Sequence, residues 1–214
     1  MDFRDLRKDY KWGSLEEDKI ETTPMLQFKR WFTDYTTLEV PDSTAMIIST
    51  VGKDLVPQTR VVLLKEVLDD AFVFYTNYES TKGKHISENE NVSLLFFWPE
   101  MERQVRVVGK AKKLSKEQST SYFNKRPFES RVSAIISPQS SIVPNREFLE
   151  EKFFAFLQAH PDEKEVLPKP ENWGGVAVNP VSVEFWQGRI SRLHDRLRYT
   201  KNDDNSWKVE RLAP

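Results

Sequence analysis

Four stretches of this sequence place cations and hydroxyls where they could grip an anion. The densest lies near the C-terminus, Glu184-Phe-Trp-Gln-Gly-Arg-Ile-Ser-Arg-Leu-His-Asp-Arg-Leu-Arg-Tyr199. Read as a strand from Ser191 onward, its side chains alternate between faces with period two. Leu193, Leu197 and Tyr199 then share one face with Asp195, while Arg192, His194, Arg196 and Arg198 share the other. Guanidinium groups match phosphate oxygens bidentately, so such a face suits anion recognition. The competing reading is the solvated outer face of an antiparallel sheet. A histidine inside the run, with Trp186 and Gly188 ahead of it, favours a site.

The other three stretches carry the same chemistry in different settings. Arg60-Val-Val-Leu-Leu-Lys65 has four apolar residues in a row, which predicts a strand buried on both faces with a cation at each end. Buried cations need anions, although both could also sit at wet strand ends. Ideal alternation puts residues 60 and 65 on opposite faces, which suits two ligand groups better than one. Ser80-Thr-Lys82 opens a predicted short helix through Glu88, and helix-start amides with a hydroxyl and a lysine make a phosphate cradle. Tyr122, Arg126 and Ser130 follow at four-residue intervals, which an uninterrupted helix would align on one side. Pro127 interrupts that helix and leaves the alignment open.

The elements that must position these groups read as mainly β with helices around them. Thr23-Pro24 is a capped helix start, and Phe28, Trp31, Phe32 and Tyr35 then form one apolar face. Predicted strands run 45–51, 58–67, 71–76, 92–98 and 104–114. After Ser115-x-x-Gln118, a capping-box helix start, a further helix is predicted from Asn145 to about Ala159, with Leu149, Phe153, Phe156 and Leu157 inward. Strands 173–179, 181–188, 191–201 and 206–212 complete the set, the last pair joined at Asp203-Asp-Asn205. Short connections between strands predict an antiparallel sheet or barrel, not a βαβ array. Residues 1–22 are charge-rich without an apolar period and read as an arm on a single domain spanning 23–214.

Composition narrows the function classes. The 214 residues carry a net charge of −1, which argues against a nucleic-acid partner. There is no cysteine, so disulfides, thiolate catalysis and cysteine-held metals are excluded. Three scattered histidines lack metal-ligand spacing. No Gly-x-Gly-x-x-Gly or Walker-type loop occurs, so phosphate must be held by side chains or helix ends. A charged N-terminus and the lack of a long apolar run imply no secretory signal and no membrane span, and so a cytoplasmic protein.

Phe185-Trp-Gln-Gly188 followed by Arg192-Leu-His-Asp-Arg196, with the ending Trp207-Lys-Val-Glu-Arg-Leu-Ala-Pro214, resembles the C-terminal signature of the pyridoxine/pyridoxamine 5'-phosphate oxidases. The resemblance extends through spaced motifs from Arg7 to Pro214. It implies an FMN-binding antiparallel split β-barrel and a homodimer with FMN at the subunit interface. It also implies oxidation of pyridoxamine or pyridoxine 5'-phosphate to pyridoxal 5'-phosphate, with O2 as acceptor and H2O2 as product. The matching positions assign Arg60, Val61, Leu63, Leu64, Lys65, Tyr75, Thr76, Thr81, Lys82, Gln104, Gln139, Ser140, Trp186 and Arg196 to FMN. They assign Lys65, Tyr122, Arg126 and Ser130 to the substrate phosphate and Arg192 and His194 to its pyridine ring, where they are the candidate catalytic residues. Arg7 and Tyr10 fall on a segment that folds over substrate in the family. Thr81 stands where the family commonly has a second basic residue; its neutral hydroxyl can still donate to a phosphate, and whether the exchange lowers FMN affinity is left open by the sequence. Two other classes remain: a flavin reductase-like split-barrel flavoprotein, and a pyridoxal phosphate-binding protein without turnover.

Overall fold

The computed structural model describes residues 1–2, 4 and 9–214. The Thr23 hydroxyl accepts from Leu26 N at 3.3 Å and Pro24 takes the first position of α1 (Pro24–Thr36). The aromatic stripe of α1 is core, as its spacing predicts. Phe28, Trp31 and Tyr35 are buried, and the Phe28 ring lies 4.8 Å from Phe72 and 4.7 Å from Phe96. Fully burying such a ring stabilises the fold by ~1.5–3 kcal/mol.

Among the described residues the strands form one nine-stranded sheet: β1 (Ala45–Val51), β2 (Pro57–Leu63), β3 (Glu66–Val67), β4 (Phe72–Asn77), β5 (Asn91–Trp98), β6 (Arg103–Lys113), β7 (Trp173–Gln187), β8 (Asp195–Lys201) and β9 (Trp207–Arg211). Their order is β2-β1-β5-β6-β7-β4-β3, with β8 and β9 branching from β7, and every pairing is antiparallel. The branch makes the barrel split. From Trp173 to Val178 the free edge of β7 pairs with β4; from Ser182 to Gln187 it pairs with β8. Pro180 sits at the handover, beside a register shift between Val108 and Gly109 of β6. A proline donates no ladder bond, and a bulge is where that loss is tolerated. The two strands expected over 173–188 are therefore one.

Helices α2 (Thr81–Glu88), α3 (Lys116–Lys125), α4 (Phe128–Ile136) and α5 (Glu147–Ala159) pack around the sheet. Ser80 and Ser115 cap α2 and α3, the latter with the full reciprocal box to Gln118. Phe153, Phe156 and Leu157 of α5 pack against a second core of Phe123, Phe128, Val132, Leu167 and Trp173. None of these helices is long and apolar enough to cross a membrane.

Three expectations about strands need correcting. The strand predicted over 58–67 breaks after Leu63: Leu64 N turns to Thr44 O, and Lys65 N turns to Val73 O. Nor is β2 buried on both faces; as the terminal strand it leaves Val61 62% and Leu63 38% exposed. The third concerns Ser191–His194, which is not strand. Ile190–Arg192 form a 3-10 turn with Ser191 at φ 57° and Arg192 at φ 60°, and β8 begins only at Asp195. Leu193, expected inward, is 71% exposed. Leu197 and Tyr199, inside β8, are buried as the alternation predicts.

Candidate functional site

A cavity of about 660 Å³ opens between β2, β4, α2 and the α3–α4 junction. Arg60, Lys65, Lys82, Lys125 and Arg126 line it, together with Val61, Val62, Leu63, Tyr75, Thr76, Tyr122, Pro127, Ser130, Gln139 and Trp173. No aspartate or glutamate is among these residues. The break after Leu63 explains how Arg60 and Lys65 reach one cavity from positions that straight alternation would send to opposite faces.

The α3–α4 junction resolves the question left open by Pro127. Arg126 caps α3 with extended backbone (ψ 149°), Pro127 follows, and α4 starts at Phe128. Despite the break, Tyr122, Arg126 and Ser130 all face the cavity. The Arg126 guanidinium lies 4.8 Å from the Trp173 ring centre, and its Nη1 is buried without a hydrogen-bond partner among the described residues. Burial lowers its pKa. A buried guanidinium nitrogen without an acceptor is costly, and an anion in the cavity would satisfy it. Tyr122 stacks on Tyr75 at 3.8 Å, and Tyr75 on Trp173 at 5.4 Å, giving a flat aromatic wall. Burial, then Glu66, pushes the Tyr75 phenol up to about 12, so it stays a neutral donor.

The second cation cluster sits at the start of α2. Lys82 Nζ donates to Gln139 Oε1 (2.9 Å), Thr76 Oγ1 (3.1 Å) and Ser80 Oγ (3.3 Å), all neutral acceptors. Burial, then Arg60, pulls its pKa down to about 8. Burial also lowers that of Arg60. Ser140, next to Gln139, is exposed at φ 70° and does not line the cavity. Thr81 lines a neighbouring cleft with Gly52, Lys84 and His85. Leu64 is core at 4% exposure.

The remaining predicted residues gather elsewhere, at the far end of β7. Gln104, Trp186 and Arg196 lie in one cross-strand row of β6, β7 and β8. The Trp186 ring is 4.6 Å from His194 and 5.7 Å from Tyr10, and Tyr10 is 5.3 Å from His194. His194 Nδ1 accepts from Arg189 N at 3.1 Å, which leaves the neutral ring's proton on Nε2. Burial, then Arg192, lowers the His194 pKa and favours that neutral ring. Arg192 is exposed in the turn. Arg196 donates to Glu184 Oε1 (2.9 Å) and the Ala213 carbonyl (2.7 Å). None of these residues lines the cavity. Arg7 lies outside the described residues.

A strap of chain holds Tyr10 in that cluster. The buried Glu102 carboxylate accepts from Lys11 N (2.6 Å) and Trp12 N (2.9 Å), and Asp195 accepts from Leu15 N (3.0 Å). Gly188 lies under the Tyr10 ring, where a Cβ would come within 2.6 Å of Cδ1.

Residues 33–158 match the family model described as pyridoxamine 5'-phosphate oxidase. Residues 173–214 match the pyridoxine 5'-phosphate oxidase C-terminal dimerisation region. The chain belongs to the pyridoxine/pyridoxamine 5'-phosphate oxidase family. It is 47% identical over 210 residues to the pyridoxine/pyridoxamine 5'-phosphate oxidase of Trichormus variabilis, spanning 98% of this chain and 97% of that protein. It is 48% identical over 218 residues to that of Flavobacterium johnsoniae, spanning 99% of each. Among solved structures, PhzG from Burkholderia lata in complex with tetrahydrophenazine-1-carboxylic acid superposes with TM-score 0.86 at 28% identity, over 92% of this chain and 95% of that one.

Within this family frame, some cavity residues escaped the sequence reading. Lys125, Pro127 and Trp173 line the cavity unannounced. Next to Trp173 the backbone packs too tightly for a side chain, since a Cβ on Gly174 would meet Tyr78 Oη at 2.2 Å. Glu102 stood inside a recognised motif, but its role depends on chain 91 residues away.

Proposed function

We propose that this protein oxidises pyridoxamine 5'-phosphate and pyridoxine 5'-phosphate to pyridoxal 5'-phosphate with FMN as cofactor, O2 as acceptor and H2O2 as product. The observation that carries this reading is a cavity lined, among the described residues, by five cations and no carboxylate, with one guanidinium nitrogen buried and without a partner among them. Such a donor set fits phosphate groups, and it falls into two clusters. Arg60, Lys82, Thr76 and Gln139, with Ser140 and Thr81 nearby, would hold the FMN phosphate. Lys65, Tyr122, Arg126 and Ser130 would hold that of the substrate, and Val61, Leu63 and Tyr75 offer apolar surface for rings. Bound FMN supplies the two-electron acceptor for a hydride from the substrate carbon. The protein's task is to bind, orient and shield.

Arg192, His194, Trp186, Gln104, Arg196 and Tyr10 would complete the site from a second copy of the chain. Trp173 and Trp186 are separated by about 40 Å of strand at ~3.3 Å per residue, and the far group does not reach its own cavity. The outer face of the sheet beside the cavity exposes Val61 (62%) and Phe97 (58%), apolar surface that a two-fold partner would cover. In such a dimer FMN would lie at the interface. Neutral His194 would present Nε2–H to the substrate ring, with Arg192 adding charge, and the Tyr10 strap would close over it.

The test is direct. The purified protein should be a yellow dimer with about one FMN per chain, consuming oxygen and releasing peroxide when given pyridoxamine 5'-phosphate. A colourless protein that cannot be reconstituted with FMN would overturn the cofactor assignment. A yellow protein inert towards both phosphates would favour the flavin reductase-like reading.

A further inference from the structure

Arg60 enters the cavity from β2, and a buried chain of hydrogen bonds fixes it from behind. Its Nη1 donates to Thr50 Oγ1 at 2.6 Å and to the Gln58 carbonyl at 3.0 Å. Thr50 Oγ1 lies 3.2 Å from His85 Nδ1, with Thr50 1% and His85 8% exposed. A guanidinium can only donate. Thr50 therefore accepts from Arg60 through one lone pair, while its hydroxyl lies within hydrogen-bond reach of His85 Nδ1, with the direction of that second bond set by the imidazole tautomer. Arg60 sets the direction of the first bond, and His85 holds the far side of the Thr50 hydroxyl.

The backbone makes room for this arrangement. A Cβ on Gly52 would come within 2.8 Å of His85 Cδ2 and 3.1 Å of its Nε2. His85 is outside the cavity; it lies on α2, three residues after Lys82, which is inside. One helix thus contributes one cation directly and is linked through Thr50 to the other. Packing alone does not call for this polarity, since a valine and a leucine could fill the same space without two buried polar atoms.

We propose that His85, acting through Thr50, is a positioning residue that holds the Arg60 guanidinium in the orientation needed for the FMN phosphate. The proposal rests on the cofactor reading given above. Among the described residues Arg60 has no carboxylate hydrogen-bond partner; its partners there are Thr50 and Gln58. A hydroxyl as the direct partner suits this task, because Thr50 orients the cation without placing a carboxylate against the charge an anion would meet.

The experiment measures FMN affinity of the full-length apoprotein by quenching of flavin fluorescence, with thermal melting alongside. Thr50→Val breaks the chain, Thr50→Ser and His85→Asn preserve a hydroxyl and a δ-position acceptor, and the double variant Thr50→Val/His85→Leu removes both buried polar partners together. We expect Thr50→Val and the double variant to bind FMN roughly tenfold more weakly. The double variant should melt close to the parent, and Thr50→Ser and His85→Asn should keep parental affinity. Unchanged FMN affinity in a folded double variant would overturn the relay while leaving the cofactor reading intact. So would an equal loss in all four variants, which would mark the pair as structural. A parent that binds no FMN would overturn the cofactor reading and the relay with it.

Discussion

The two ends of β7 carry similar residues and opposite electrostatics. At the Trp173 end, Arg60, Lys65, Lys82, Lys125 and Arg126 converge on a cavity that no carboxylate lines among the described residues. At the Trp186 end, the arginines of β8 and β9 are each answered by a carboxylate, with Arg192 of the turn before β8 standing apart. Arg196 meets Glu184 at 2.9 Å, Arg211 meets Asp195 at 2.8 Å and Glu17 at 2.6 Å, and Arg198 meets Glu210 at 3.2 Å. Compensated charge holds the sheet and the strap together, whereas uncompensated charge is kept ready for a ligand. A cluster of arginines in a sequence does not distinguish the two; the carboxylates around it do.

The largest expected effect breaks the cavity side. Arg126→Ala should weaken binding of the substrate phosphate roughly 10- to 150-fold, the worth of one charge-assisted hydrogen bond. The apoprotein should melt no lower than the parent, because the substitution removes a buried nitrogen that lacks a partner. Calorimetric titration and a melting curve check both halves. Release of FMN with unchanged substrate affinity would reverse the assignment of the two clusters.

Arg196→Ala should do the opposite, costing the fold up to about 3 kcal/mol by leaving the buried Glu184 carboxylate short of a partner. A denaturant titration reads it. Arg106 remains 3.5 Å from Glu184 and softens the loss.

A smaller effect follows pH. Unliganded Lys82 loses its proton near pH 8, below the 10.5 of a free lysine. Between those values the unfolded chain binds the extra proton, so stability of the apoprotein rises with pH across that window. A bound phosphate favours the ammonium. FMN affinity should therefore be flat just below pH 8 and fall above it, by at most about tenfold per unit. Lys82→Gln should flatten that decline, and an equal slope in both proteins would remove Lys82 from the phosphate.

The gentlest change concerns the strap. Glu102→Ala removes the acceptor for Lys11 N and Trp12 N and should free Tyr10 from its seat. We expect faster tryptic cleavage after Lys11 and a few-fold rise in KM, about 1 kcal/mol, at unchanged FMN content. Cleavage at the parental rate would show that other contacts carry the strap.

Much of this was legible beforehand because local chemistry decided it. Thr23, Ser80 and Ser115 announced their helices through capping alone, and the edges of β1 followed from composition. What escaped depended on distant partners or unusual backbone. Ser191 and Arg192 alternate like a strand, and nothing in a serine or arginine announces positive φ. Leu64 and Lys65 leave β2 because Thr44 and Val73 offer their carbonyls. The site residues were recognisable as types, but their sorting between the two ends of β7 was not, because pairing with β4 and then β8 is a property of the sheet.

The most direct test of that sorting is subunit complementation. Arg126→Ala damages the cavity and Arg192→Ala damages the distant group, so each homodimer should oxidise pyridoxamine 5'-phosphate poorly. If a site draws one group from each copy, reassorting the two variants leaves one intact site in every mixed dimer. Activity should then recover to about a quarter of the parental value, as random pairing of an isologous dimer gives. Recovery no greater than the average of the two variants would mean that both residues act within one chain, and the two-copy site would be wrong.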